Sequence, residues 1–326
     1  MATQLQIRRG TAAQVAAFTG AEGEIVYNST NDSLHTNDGA TAGGFELARA
    51  DLNNVSDADL NAALTGNTLS ALTITTLTSG AATFSGDIIT TTLGTSNLTL
   101  GVNAGNSIIA GGNYNVVVGD EAGTAITTGD YNVAVGYSAL PADTLGNRST
   151  AIGVAALETQ NFTSATDAYN TAVGFAAGSS VTTGTYNTLI GGLAGDAITT
   201  GVRNSTMGYG SGGQLTTGSY NVALGMATLA ATTTASNNTA VGYEALNQNT
   251  ASNNTAVGYF ALNVNTTGPY NTAVGWASLD ANTTGAENVA LGADALGINT
   301  TGNNNVAIGT NALDANTTAS NNTALG

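Results

Sequence analysis

The sequence predicts a mostly β protein in three parts. These are a small N-terminal α+β domain, a thin intertwined shaft, and a parallel β-solenoid (a β-roll) of about 13 rungs, assembled as a trimer. Three observations carry this expectation. A phrase of the form N-[TV]-A-[VIL]-G recurs about every 17 residues through the later two thirds of the 326-residue chain. Only 8% of the chain is charged while 42% is hydrophobic and 43 residues are Gly, a composition too apolar and too ordered in pattern for disorder. Between Asn67 and Gly101 the apolar residues are too sparse to fill a core from one chain. The expected boundaries are 1–52, 53–100 and 101–326.

The first part begins with TAAQVAAFTG. Thr11 stands as N-cap, Gln14 three places later and Gly20 as terminator, which predicts a short capped helix. EGEIVYNSTNDSLHTNDG then reads as two strands joined by a polar turn. In the second part VSDADLNAALTG carries Ser56 as N-cap, Asp59 at the third helical position and Gly66 as C-cap, with Val55 and Leu60 placed as a hydrophobic staple. The Thr-rich stretch from Asn67 to Gly101 follows, a core that intertwined chains would share.

The repeat places its glycine at 119, 136, 153, 174, 191, 208, 225, 242, 258, 275, 292, 309 and 326, after a ragged copy ending at Gly101. The steps are 17 residues except one of 21 and one of 16. A period this short, rich in β-branched residues and without a helical apolar stripe, predicts stacked rungs about 4.8 Å apart. Each copy is one rung, unable to bury its apolar face alone.

Counting a rung from its Asn as position 1, position 4 is aliphatic or Met in every copy. Strand side chains alternate in direction, so positions 2 and 4 are expected to point inward and positions 1, 3 and 5 outward. Ala at position 3, as at Ala240, Ala256 and Ala273, then forms a flat strip against a neighbouring chain. That strip and the thin shaft are the grounds for expecting a parallel homotrimer.

Positions 9 and 12 vary together. Eight rungs carry Leu at 9, among them Leu262 and Leu279, and a polar residue at 12, such as Asn265 and Asn282. Four carry Gly at 9 (Gly123, Gly178, Gly195, Gly212) and an aliphatic at 12 (Ile126, Val181, Ile198, Leu215). One volume filled from either side but never both accounts for the exchange, because cores resist overpacking. Asn265→Leu is therefore expected to recover part of what Leu262→Ala loses. Stacked Asn at position 1 reads as an amide ladder, Thr at positions 13 and 14 as a strand end and turn, and the four extra residues near Phe162 to Asp167 as a bulging loop. The chain stops at NNTALG inside a regular rung, without an atypical capping copy. The expectation is that the gene product continues past Gly326 into further rungs and a distal tip.

Composition excludes several functions. Lys is absent, and the cations are Arg8, Arg9, Arg49, Arg148 and Arg203 against 21 carboxylates, a net charge of −16. Such a surface repels phosphate backbones. No apolar run is long enough to span a membrane, and MATQLQIRRG is no secretory leader. With Cys 0 there is no thiolate metal site and no disulfide. The single His35 reads as a hairpin surface residue, and the carboxylates do not pair as a glycosidase needs. The Asp-bearing nonapeptide of calcium β-rolls is missing too. No enzyme, cofactor or metal site is expected. Tyr precedes the Asn in six rungs, and Tyr243, Tyr259 and Trp276 follow the glycine. Aromatic rows of this kind stack on sugars or, more often, pack between rungs or chains.

LQIRRGTAAQVAAFTGAEGEIVYNSTNDSLHTNDGATAGGFELA resembles the N-terminal domain of phage tail-fibre and receptor-binding proteins of the tropism-determinant type. The likeness rests on Arg8, Arg9, Gly10 and Thr11, on Glu22 to Ile25, and on Asp38-Gly39; Val15 stands where that family has Trp. The repeat is similar to the head repeats of trimeric autotransporter adhesins, which implies a trimer of left-handed β-rolls. Together the resemblances imply a structural phage fibre on the outside of the virion. Its N-terminus would grip other virion proteins through Arg8, Arg9 and Asp38, and its rod would project toward a host receptor or glycan, met through a distal part. Two alternatives remain. A cellular trimeric adhesin lacks its leader and anchor here. An ice-binding solenoid needs two Thr per rung on one face, whereas neighbours such as Thr266 and Thr267 point opposite ways.

Overall fold

The computed structural model describes residues 8–17, 25–28, 33–36, 45–46 and 94–326. The chain divides into two compact units, Met1–Thr83 and Phe84–Gly326. The helix expected after Ser56 and nearly all of the Thr-rich shaft lie outside the described residues.

In the first unit β1 (Arg8–Gly10), β2 (Ile25–Asn28), β3 (Ser33–Thr36) and β4 (Phe45–Glu46) form one sheet in that order. β1 pairs with β2 in parallel, and β2 with β3 and β3 with β4 antiparallel. Between β1 and β2 runs α1 (Ala12–Ala16), with Thr11 as its N-cap. The Oε1 of Gln14 accepts the Thr11 backbone N–H at 2.9 Å, the return half of a capping box. The helix closes at Ala17, and Gly20 lies outside the described residues. Val15 is the residue it buries.

The second unit is the solenoid. Fourteen three-residue strands, from Leu98–Leu100 to Thr323–Leu325, form one parallel sheet in chain order. Each residue pairs with its counterpart one rung on, as in Thr239↔Thr255, Ala240↔Ala256 and Val241↔Val257. Fourteen strands at about 4.8 Å make a sheet roughly 60 Å long. The remainder of each rung is turns, and its backbone N–H groups also donate to the neighbouring rung: Leu262 N–H to Ser278 O and Thr266 N–H to Thr283 O, both at 2.9 Å.

The inward and outward faces are the reverse of the sequence expectation. Positions 1 and 3 point inward: Asn238, Asn254, Asn288, Ala240, Ala256 and Ala273 have no exposed surface. Positions 2 and 4 point outward, with Ile152, Met207, Leu224, Leu291 and Ile308 exposed. Ala240, Ala256 and Ala273 are therefore core residues and no strip for a neighbouring chain. The reason is the narrowness of the coil. Leu at position 9 and a second small residue at position 8, such as Ala245, Ala261 and Ala295, fill the interior from the turn side. Only Ala fits opposite them.

The position-1 Asn survives burial because every polar atom is used. Asn288 Nδ2 donates to Gly302 O at 2.8 Å, tying the start of the rung to its own end. Its Oδ1 accepts the Asn305 backbone N–H of the next rung at 3.0 Å. An unpaired buried amide would cost about 1–3 kcal/mol, so no apolar residue of similar size can replace it without orphaning these partners. Position 5 is glycine because a Cβ at Gly258 (φ +143°) would lie 2.3 Å from the carbonyl oxygen of Gly275, one rung away. The next rung allows it no side chain.

The exchange between positions 9 and 12 is one shared volume, as expected. A Cβ on Gly195 would come within 2.8 Å of Ile198 Cδ1 and 2.9 Å of Leu189 Cδ2, so the position-12 aliphatic occupies that space. Position 3 belongs to the same exchange: Val117, Leu189 and Thr206, the departures from Ala, all sit in Gly-type rungs. Leu at position 9 is held at positive φ, 53° for Leu262. That costs about 1–2 kcal/mol, and full burial of a Leu side chain, worth about 1.5–3 kcal/mol, offsets it.

The polar residue at position 12 is no idle filler, however. Asn265 Nδ2 donates to Asn249 Oδ1 at 2.7 Å and to Gly268 O at 2.8 Å, and its Oδ1 accepts from Asn282 Nδ2 at 2.8 Å. Leu262→Ala is expected to cost about 2–5 kcal/mol. Adding Asn265→Leu fills the cavity but removes the three hydrogen bonds to Asn249, Gly268 and Asn282, which keep their other partners, at about 0.5–1.5 kcal/mol each, so no recovery is expected. Chemical denaturation of the single and double variants checks this: a double variant more stable than Leu262→Ala would mean the amide ladder contributes little.

Candidate functional site

The exposed face of the long sheet carries positions 2 and 4, and two further columns border it. Position 6 follows the glycine, and position 17 precedes the Asn of the next rung. Among the described residues of the rod, every large hydrophobic side chain that stands exposed lies on these four positions, save Ile109 and Ile298. The turn side is polar by contrast, and the Thr of position 13 is turned to the backbone there: Thr266 Oγ1 donates to Thr283 O at 2.9 Å.

The position-17 residues all sit in the left-handed region, Tyr131 at φ 59° and Tyr186 at 60°, which turns them to the same side in rung after rung. Over seven rungs they form one ladder of planar groups. Tyr114 and Tyr131 stack with ring centroids 4.9 Å apart and planes within 10°. The Arg148 guanidinium follows, 4.9 Å from the Tyr131 ring and 5.7 Å from Tyr169. Tyr169 and Tyr186 stack at 5.4 Å. Arg203 then lies 5.1 Å from Tyr186 and 5.5 Å from Tyr220, and its Nη1 donates to Tyr220 Oη at 2.9 Å. Ring pairs contribute about 0.5–1.5 kcal/mol each and exposed cation–π contacts about 0.5–1 kcal/mol. That is enough to offset part of the cost of positive φ. Arg148 and Arg203 are the cations of the rod, and both fall in this one column. Sequence reading missed them, although both occupy the alignment position of the six Tyr.

The ladder meets the one inserted loop. Asp167 brings its Oδ1 to 3.2 Å from Arg148 Nε; both side chains are near half exposed, so the pair is worth little by itself. Thr166–Asp167 pairs in parallel with Gly146–Asn147, and Phe162 turns into the core while Thr163 to Ala165 are exposed. Beneath the loop Asp143 is buried. Its Oδ1 accepts from Gly146 N–H at 3.0 Å and Phe162 N–H at 3.1 Å, and its Oδ2 from Gln160 Nε2 at 2.6 Å. Gln160 also donates to Ser149 Oγ and accepts from Asn170 Nδ2, bridging the rung where Ser149 interrupts the Asn ladder.

Of the residues singled out from sequence, Arg8 and Arg9 lie on β1, and Asp38 is outside the described residues. Tyr243 and Tyr259 stack on one another at 5.3 Å and both meet the edge of Phe260, so each covers a face of the other. Trp276 is 54% exposed. Among the described residues no group of His, Cys, Asp and Glu has the arrangement of a metal site, and no helix there is long and apolar enough to cross a membrane.

Residues 5–41 match the model of the major tropism determinant N-terminal domain. The chain is 54% identical over 52 residues to the tail fiber receptor-binding protein of Bordetella phage BPP-1, covering 16% of this chain and 14% of that protein. The similarity is thus confined to a small part of either chain. No solved structure matches. The chain carries a tropism-determinant-type N-terminal domain ahead of a β-solenoid rod.

Burial pushes the Asp143 carboxyl above its ordinary 3.8, against the lowering effect of Gln160 and the backbone N–H groups of Phe162, Gly146 and Leu145. A carboxyl with a raised folded-state pKa favours the folded state when protonated. Stability of the loop anchor therefore falls as pH rises from 3.8 to the raised value, and is flat above it. Hydrogen exchange of the segment 158–167, corrected for intrinsic rates, is expected to show greater protection at the acid end of that window than at neutral pH. Protection that falls on acidification would mean Asp143 is stabilised as the anion.

Proposed function

We propose that the chain is a structural phage fibre protein on the outside of the virion. Its N-terminal domain fastens it to the particle, and its rod projects toward the host for adsorption. The observation that carries this is the tropism-determinant-type domain at residues 5–41, standing ahead of a continuous stack of rungs. A rod built on repeated amides and glycines supplies reach and stiffness, and in this reading its role is structural rather than catalytic. Arg8 and Arg9 of β1, with Asp38, are the proposed contacts to other virion proteins. A host receptor or glycan is the distal partner. Of the aromatics first singled out for stacking on sugars, Trp276 keeps its ring uncovered, whereas Tyr243 and Tyr259 cover one another.

Three copies in parallel complete the fibre. The surface that supports this is the exposed sheet face, not the Ala strip: the aliphatics of positions 2 and 4 form an apolar centre along its length, and the columns at positions 6 and 17 form its rim. An apolar centre with an aromatic and polar rim is the ordinary anatomy of an interface, and obligate ones bury upward of about 2,000 Å².

Two measurements test the proposal. Gold-labelled antibody against this chain is expected to decorate projections on intact particles in electron micrographs; label absent from particles would remove the fibre reading. In sedimentation the chain is expected as a trimer. Replacing Val241, Val257 and Val274 together with Glu should yield folded monomers. The same change at Ala240, Ala256 and Ala273, which places three charges in a dry core, should abolish folding. A folded monomer from the unaltered chain would overturn the trimer.

A further inference from the structure

The ladder at position 17 does not run the length of the rod. After Tyr220 the column continues as Asn237 and Asn253, then Tyr270, then Glu287 and Asn304. Each of these holds the same left-handed backbone, φ 65° at Asn253, 61° at Tyr270 and 58° at Glu287. Their side chains therefore leave the rod in the same direction, one rung apart. Tyr270 is 60% exposed, more than any tyrosine in the stacked part of the column. Among the described residues no ring and no guanidinium lies against it.

Within the stacked section Tyr131, Tyr169 and Tyr186 have both faces covered by the planar groups of the neighbouring rungs, 4.9–5.7 Å away, and Tyr114 and Tyr220 at its ends have one. At Tyr270 the neighbours on both sides are shorter, so each face looks into a gap the thickness of one missing ring. The polar groups at the floor of the two gaps are uncommitted: neither the Asn253 amide nor the Glu287 carboxylate makes a hydrogen bond to any described residue.

A second column of rung-to-rung bonds is also broken here. At position 16 a side chain on one rung accepts the backbone N–H of the rung before. Ser219 Oγ takes Val202 N–H, Ser236 takes Ser219 and Ser252 takes Ser236, all at 3.0 Å, and Asn303 takes Ala286 at 2.7 Å. This row fails at Pro269 and Ala286, as it also does at Ala168, Thr185 and Val202. Proline has no N–H to give, and neither Pro269 nor Ala286 has a side-chain acceptor. Pro269 immediately precedes Tyr270 and restricts its approach, while its carbonyl still accepts the Glu287 N–H at 3.1 Å. Both rung-to-rung columns are interrupted where the open ring stands.

We propose that Tyr270, Asn253 and Glu287 form a carbohydrate site that takes a neutral pyranose ring in the place of a missing rung of the ladder. An aromatic face with a free amide and a free carboxylate on either side is the chemistry a sugar needs: C–H groups on the ring face, hydroxyls to Glu287 and Asn253. Glu287, on a rod of net negative charge, repels uronic acids and phosphosugars, which restricts the class to uncharged hexoses and N-acetylhexosamines. The column lies on the rim of the proposed trimer interface, where surface stays wet. The site rests on the host-attachment reading and gives it a ligand class.

Saturation-transfer NMR on the full chain, with the methyl glycosides of glucose, galactose and N-acetylglucosamine as probes, tests it. At least one glycoside is expected to receive saturation, concentrated on the protons of one ring face. Tyr270→Phe should keep the signal. Tyr270→Ala should remove most of it, and Tyr131→Ala, whose ring is already sandwiched between Tyr114 and Arg148, should leave it unchanged. No saturation of any probe, or an equal signal from Tyr270→Ala, overturns the site, as does loss from Tyr131→Ala as well. Because the measurement uses the protein alone, its failure leaves antibody decoration of particles intact, and the two readings fall separately.

Discussion

Everything in the rod depends on one side chain, the buried Asn that opens each rung. Its amide does two things that no other residue of that size does at once. The Nδ2 group closes the rung onto its own last turn, as Asn187 does to Gly201 O at 2.9 Å, and the Oδ1 holds the backbone N–H of the next rung, Asn204, at 2.9 Å. Closure and stacking are thereby coupled. A rung that opens loses its bond to its successor, which makes the array cooperative along its axis. The one rung that lacks this Asn shows what replaces it. At Ser149 the Gln160 side chain reaches across to Asn170 and Asp143, and the four-residue insertion sits there. The irregular loop is placed where the regular tie is broken.

The second constraint follows from closeness. Rungs stacked through backbone hydrogen bonds leave no volume between corresponding turns, so the residue after each strand is glycine and the inward strand positions are Asn and Ala. The free energy that makes the rod stable comes from a narrow core of Leu, Ile and Val filled from the turn side. Four residues in a typical rung take positive φ, at positions 5, 7, 9 and 17, as Gly258, Phe260, Leu262 and Tyr270 do. Such a backbone is strained at its non-glycine positions. Burial offsets the strain at position 9, and stacked rings and guanidiniums offset part of it at position 17.

Much of this was legible in the sequence. The 17-residue period, the register, the Asn ladder, the inserted loop and the shared volume of positions 9 and 12 all follow from comparing copies within one chain. The inward and outward assignment did not follow. Period-2 alternation divides a strand into two faces but does not say which is inside, and the larger apolar residues at position 4 pointed the wrong way. The deciding signal was present: the departures from Ala at position 3, Val117, Leu189 and Thr206, occur only where position 9 is Gly. A residue that trades volume with the core lies in the core. The ladder of position 17 was half legible, since the tyrosines were noted while Arg148 and Arg203, which complete it, were counted only as charge.

The reversal changes what the exposed face means. With Ala inside, the aliphatics of position 4 face outward along the whole rod, half-buried at Val118, Val241 and Val274 and exposed at Leu100, Leu291 and Leu325, a row that an isolated chain has no reason to keep. Solvent would accept Thr or Ser there, as position 2 does in Thr239, Thr255 and Thr272, yet position 4 is aliphatic or Met in every rung. A residue class held that strictly on an outward face follows the volume and solvent constraint of a core, and this is the ground for the proposed packing of three copies. In the proposed trimer each rod contributes one third of a shared apolar layer. A single rung is too small to bury its apolar face alone, and the proposed assembly extends the same argument to the exposed face of a whole rod.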